Sequence, residues 1–125
     1  MAGARDVTEL GAWVLANDLK KLAYALARRP HVERDRRFRE QLVDAAASAP
    51  RNIAEGFGRY THREFARFVR IAKGSEAEVL NHFRDAADRG YLDQAELPAH
   101  EHAARKALKA ATGLLRYLED TPDLR

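Results

Sequence analysis

Apolar residues return every three or four positions along most of the chain, the spacing that lines one face of an α-helix. Leu15, Leu19, Leu22 and Leu26 step by four, three and four beside Leu10, Val14 and Ala23, and predict a first helix over about 9–29. Arg28-Arg29-Pro30 ends it, because proline cannot extend a helix and arginines suit the negative end of its dipole. After a short polar connection, Phe38, Leu42, Ala45, Ala49 and Ile53 carry a second stripe, over about 35–57, with Asp35 placed to cap it. Pro50 lies inside this stripe, but the apolar phase survives it, so a kink is expected and not a break. Gly56-Phe57-Gly58 supplies a stop, and Thr61 followed by Glu64 has the capping-box spacing for a third helix over about 62–88. That helix uses Phe65, Phe68, Ala72, Val79, Phe83 and Ala86, and Asp88-Arg89-Gly90 ends it. Ala104, Leu108, Ala111, Leu115 and Leu118 define a fourth over about 94–119, closed by Thr121-Pro122.

No run of alternating β-branched residues reads as a strand. The connections near 30–34, 57–61 and 89–93 are short enough to make successive helices antiparallel neighbours. The expected fold class is therefore all-α, with residues 1–125 forming one antiparallel, up-down-up-down four-helix bundle. Alanine recurs on the apolar stripes and lets helix axes approach closely, which predicts a slim bundle and no hollow for a cofactor.

Composition narrows this picture. The 125 residues suit one domain, no stretch approaches the roughly 20 apolar residues of a membrane span, and the first residues lack the apolar region of an export signal. A soluble, cytoplasmic protein is the expectation. The absence of cysteine removes disulfides, thiolate metal sites and cysteine nucleophiles.

The net charge of +3 is mild, yet its distribution is uneven. Residues 1–27 are neutral, residues 28–73 hold twelve basic against six acidic side chains, and the remainder is net negative. Most of the excess is arginine, whose planar fork suits phosphate or carboxylate. Arg59, Arg63, Arg67 and Arg70 step by four, four and three, placing the last three opposite Phe65, Phe68 and Ala72, with Lys73 nearby. A second group, Arg28, Arg29, Arg34, Arg36, Arg37 and Arg39, falls at the first connection and the start of the second helix. Phosphate binding by these clusters stands level with an ordinary solvated face on which acids such as Glu40 and Glu64 pair locally.

Catalytic constellations do not emerge. A di-iron bundle needs inward Glu-x-x-His pairs, whereas Glu78 and His82 are four apart and unrepeated, and His100, Glu101 and His102 read as solvated residues at a helix start. Ser48 and Ser75 lie in no nucleophile elbow and read as small packing residues. Gly56-Phe57-Gly58 lacks the lysine and preceding strand of a phosphate loop. No catalytic residue, metal ligand or cofactor is predicted, and the chain is read as non-enzymatic.

The segments Arg51-Asn52-Ile53-Ala54-Glu55-Gly56-Phe57-Gly58-Arg59 and Ile71-Ala72-Lys73-Gly74-Ser75 carry the words Asn-Ile-Ala-Glu-Gly-x-Gly-Arg and Ile-Ala-x-Gly-Ser. At this separation they resemble the four-helix-bundle proteins encoded within intervening sequences of bacterial 23S ribosomal RNA genes, and the likeness extends more weakly to Trp13 and to Gly90-Tyr91-Leu92. The resemblance implies an all-α bundle assembled as a homopentameric ring. Through a related protein, the accessory variability determinant of diversity-generating retroelements, it also implies binding to nucleic acid and to a reverse transcriptase or other protein partner. It supplies no catalytic residues. Ala49-Pro50 departs from the family pattern, which usually has no proline there.

Read physically, Asn52 and Glu55 share a face of the late second helix, and Gly56 can take the left-handed conformation that ends it. A side-chain network locking this corner, with Glu55 reaching Arg59 or an orphan amide at the start of the third helix as a buried or cap-satisfying carboxylate, accounts for the motif better than ligand binding does. Gly74 and Ser75 in mid-helix point to close approach by another helix or another subunit. The two function classes that remain are an oligomeric adaptor whose arginines bind RNA or DNA, and a structural or protein-interaction bundle with no nucleic-acid binding.

Overall fold

The chain stops and restarts its helices where local chemistry satisfies the free amides and carbonyls of helix ends. In the computed structural model, which describes residues 4–123, a 3-10 turn at Val7–Glu9 precedes α1 (Gly11–Ala27), α2 (Pro30–Glu33), α3 (Arg36–Phe57), α4 (His62–Asp88) and α5 (Leu97–Asp120). Thr61 caps α4 by accepting the Glu64 amide at 3.1 Å, and its hydroxyl lies 3.3 Å from the Glu64 carboxylate. Asp35 accepts the Phe38 amide at the start of α3. Gly90, with φ of 79°, is the one residue in the left-handed region among those described, and the Tyr91 and Gly90 amides close α4 on the carbonyls of Ala86 and Ala87.

Several boundaries differ from expectation for visible reasons. α1 begins at Gly11 because Asp6 and Glu9 form a capping box around the 3-10 turn and leave Leu10 extended. The connection at 30–34 is a single helical turn, not a plain polar link, and it buries Val32 completely. α5 starts at Leu97, after a turn in which the Asp93 amide donates to the Glu96 carboxylate. α3 runs unbroken through Pro50, which is itself buried. Gly56 stays helical and right-handed, so the expected left-handed stop is not formed there; Gly58 closes α3 with φ of −80°.

The four long helices run antiparallel. Arg29 at the end of α1 reaches Glu96 ahead of α5, Arg89 and Tyr91 beyond α4 reach Asp35 ahead of α3, and Arg70 and Arg84 of α4 pair in reverse order with Glu119 and Glu101 of α5. One half of the bundle is filled by Leu19, Leu26, Leu42, Val79, Phe83 and Leu92. The other holds Leu10, Ile53, Phe65, Val69 and Leu118, with Ala4 and Val7 packed against it. Between them Ala16, Ala46, Ala49, Ala72, Ala107 and Ala111 are buried almost completely, and so is Glu76.

α3 and α4 are in close contact at Gly56. A Cβ there would stand 2.7 Å from Cδ1 of Phe65 and 2.9 Å from Cβ of Phe68. The second atom is fixed to the helix backbone and cannot rotate away. Gly56→Ala should therefore lower stability by about 1–3 kcal/mol through overpacking. Gly58→Ala, whose Cβ would meet nothing nearer than 3.6 Å, should be close to neutral in the same urea titration.

Candidate nucleic-acid interface

Because α4 turns Phe65, Val69 and Ala72 inward, the same periodicity turns Arg63, Arg67 and Arg70 outward, and all three are exposed. Their charges are not equally available. Arg70 is held by Glu119 at 2.7 Å, whereas among the described residues Arg63 and Arg67 have no carboxylate partner. The guanidinium of Arg67 lies 5.6 Å from the ring centre of Phe68, and that of Arg59 lies 4.9 Å from it while pairing with Glu55 at 2.8 Å. Lys73 is half-buried. Beside Arg63 and Arg70 a cleft of about 320 Å³ is closed by Glu119 and Asp123; Asp123 accepts the His62 amide at 2.8 Å and the His62 ring donates to the Thr121 carbonyl.

The second arginine group sits elsewhere. Arg36 and Arg37 project from the start of α3, Arg36 with Glu40 at 3.6 Å, while Arg39 is half-buried and lines a groove of about 410 Å³ with Arg28 and Glu33. The 22 residues of α3, about 33 Å of helix, separate this group from Arg59. One chain therefore presents two basic sites at opposite poles. Arg29 belongs to neither: it clamps Glu96 at 2.6 Å and the Tyr91 carbonyl at 2.9 Å, and with the Asp93 amide it lowers the Glu96 pKa to about 2. Arg105, Lys109 and Arg116, exposed along the outer side of α5, form a basic row that segment-by-segment counting hides under the acids around it.

The corner motif divides in the same way. Asn52 donates to the Ser48 carbonyl and hydroxyl at 2.8 and 2.9 Å, and Ser75 donates to Ser48 at 2.7 Å, so this network ties the middle of α3 to α4. Glu55 is not part of it: it reaches Arg59, one of the two contacts expected of it, but it is exposed and, among the described residues, bonds no amide at the start of α4, so it is not a buried or cap-satisfying carboxylate. Gly74 is exposed, and a Cβ there would meet nothing within 4 Å, although glycine in mid-helix is about 1 kcal/mol less favourable than alanine. Among the described residues no helix uses its missing side chain.

Of the two histidines near the start of α5, His102 is exposed as expected, but His100 is not. His100 is buried, its ring donating to the Glu96 carbonyl and standing 4.9 Å from Phe83. His82 is largely covered too, 3.7 Å from Glu78. Among the described residues no group of three His, Cys, Asp or Glu side chains could hold a metal ion, and no helix is long and apolar enough to cross a membrane.

Glu76 is the group that sequence reasoning passed over. It lies four residues after Ala72 and three before Val79, on the apolar stripe itself, and that interruption of the stripe was its available signal. Ser75 against Ser48 sets it level with Ala46 and Ala49, and the Arg70–Glu119 and Arg84–Glu101 pairs bracket it opposite Ala107 and Ala111. Among the described residues neither carboxyl oxygen has a hydrogen-bond partner. Burial raises its pKa to about 8 against a weaker opposing pull from Lys73.

Residues 8–113 match the profile of a family described as 23S rRNA-intervening sequence protein. A comparison with curated proteins finds no match.

The raised pKa of Glu76 has a definite sign. The folded chain keeps a proton that the unfolded chain releases near 4.5, so this group's contribution is complete below that value and declines as pH rises through about 8. Urea midpoints measured between about pH 5 and 9 should fall for the native sequence, while Glu76→Gln, a neutral isostere, should flatten the profile and be the more stable protein at the alkaline end. Parallel profiles for the two proteins would show that Glu76 is not the group responsible. Glu55→Ala in the same series should change stability by no more than about 0.5 kcal/mol, the range of exposed helix pairs.

Proposed function

Because the chain belongs to the 23S rRNA-intervening sequence protein family, we propose that it is a non-enzymatic, homo-oligomeric adaptor of the bacterial cytoplasm, a five-membered ring whose arginine-rich surface binds RNA or DNA. In this reading the bound nucleic acid is presented to a protein partner such as a reverse transcriptase. The observation that carries the nucleic-acid part is the pair Arg63 and Arg67, exposed on one face of α4 without a carboxylate partner among the described residues, next to Phe68. Arg59 lies 4.9 Å from the centre of the same ring and Arg70 follows one turn along, each releasable from a surface ion pair. Arginines spaced in this way along a helix suit successive phosphates, and a ring repeats them around its axis.

Phosphate contacts release counterions, so binding weakens with salt in proportion to their number. A single chain offering Arg63 and Arg67 should lose about sevenfold in affinity for a single strand between 50 and 200 mM salt, whereas a ring that engages six to ten such contacts should lose roughly 300- to 16,000-fold. Filter binding of poly(U) across this range reads the slope. Reversing Arg63, Arg67 and Arg70 to Glu should abolish retention while circular dichroism shows the helices intact. Retention indifferent to salt or to the triple reversal would favour the alternative, a bundle whose arginines meet acidic protein surfaces.

A further inference from the structure

The outer face of α4 carries a pattern that the nucleic-acid reading does not use. Its centre is Gly74, exposed and with open space where a side chain would be. Counting outward at three, four, seven and eleven residues, the offsets that share a helix face, the chain places Ile71 and Ala77, Arg70 and Glu78, Arg67 and Asn81, and Arg63 and Asp85 symmetrically about it. Ile71 is 43% exposed, one of the few large apolar side chains so placed, and Ala77, Glu78 and Asn81 are exposed as well. The basic half of the face precedes Gly74 and the acidic half follows it.

A twofold axis through Gly74 maps each residue before it onto the position of the residue equally far after it. We infer that α4 is a self-complementary surface at which a second copy of this chain packs antiparallel, crossing at Gly74. Arg70 and Arg63 of one copy then face Glu78 and Asp85 of the other, Ile71 covers Ala77, and the missing side chain at the axis lets the two helices come together. Parallel pairing would set like charges opposite one another along the whole face and is disfavoured. The internal pairs Arg70–Glu119 and Asp85–Arg89 are surface pairs that can exchange partners. An isologous contact closes on itself, so it joins two chains or two rings and never an odd number. It also constrains the nucleic-acid reading, because Arg63, Arg67 and Arg70 cannot face a phosphate and a second copy at once.

Native mass spectrometry and light scattering of the full chain at low salt test this directly. The expected result is an assembly with an even number of chains, whose mass is halved by Arg70→Glu alone and by Glu78→Arg alone and restored when both substitutions are in the same chain. Gly74→Leu should halve the mass too, with no loss of thermal stability, since the isolated bundle has room for the side chain. Excess poly(U) should halve the native assembly by taking the arginines. An odd number of chains, failure of the double variant to restore the mass, or an undiminished assembly in Gly74→Leu would each overturn the twofold contact. An odd-numbered assembly that still retains poly(U) would leave the nucleic-acid reading standing; an even-numbered one that retains none would remove that reading and keep the contact.

Discussion

The contact of Gly56 with Phe65 and Phe68 sets how α3 and α4 run together, and most of the bundle inherits its register from that approach. With the axes close at this pole, Ser48 meets Ser75 about two turns along, and Asn52 completes the tie. The alanines on all four long helices then continue the close packing through the middle of the bundle. The same contact holds Phe68 half-buried at the edge, where Arg59 and Arg67 stand over its ring. A glycine required by packing thereby fixes the placement of surface charge.

Charge on this protein is not equivalent to available charge. Arg29, Arg84 and Arg89 are consumed by carboxylates on other elements and tie α1 to α5, α4 to α5 and α4 to α3. Asp35 shows the same economy: its carboxylate caps α3 and takes hydrogen bonds from Tyr91 and Arg89, and the Tyr91 bond most of all depresses its pKa. Side chains of this kind look like members of a basic or acidic patch in a linear count, yet they act as the joints between helix ends.

The helices were legible because burial imposes a period on the chain. The stripe from Phe65 to Ala86 and the Thr61 cap located α4 at its observed bounds, and the unbroken phase across Pro50 foretold that α3 would continue. What depends on one residue meeting another far along the chain was not legible. Val32 looked like part of a polar link, although its turn closes one end of the core. Gly56 suggested a left-handed stop, since a close approach and a positive φ leave the same mark in a sequence. Glu55 and Asn52, three residues apart, diverged into solvent and into the α3–α4 tie because the helix rim passes between them. The two arginine groups were separate along the chain, but that they lie at opposite poles follows only from the length of α3 between them.

The two ends of the described chain share a pole. Ala4 and Val7 pack against the cluster that contains Leu118, and Asp123 accepts the His62 amide at the start of α4. Residues 4 and 123 therefore leave the bundle beside the corner that carries Arg59 and Arg63. Anything attached at either end, whether a tag, a second domain or a tethered partner, is delivered to that pole and not to the one where Arg28 and Arg39 lie. Joining the two ends by a short linker and reopening the chain at the 89–96 turn would yield a permuted bundle with the same core, whose cargo would emerge from the opposite pole.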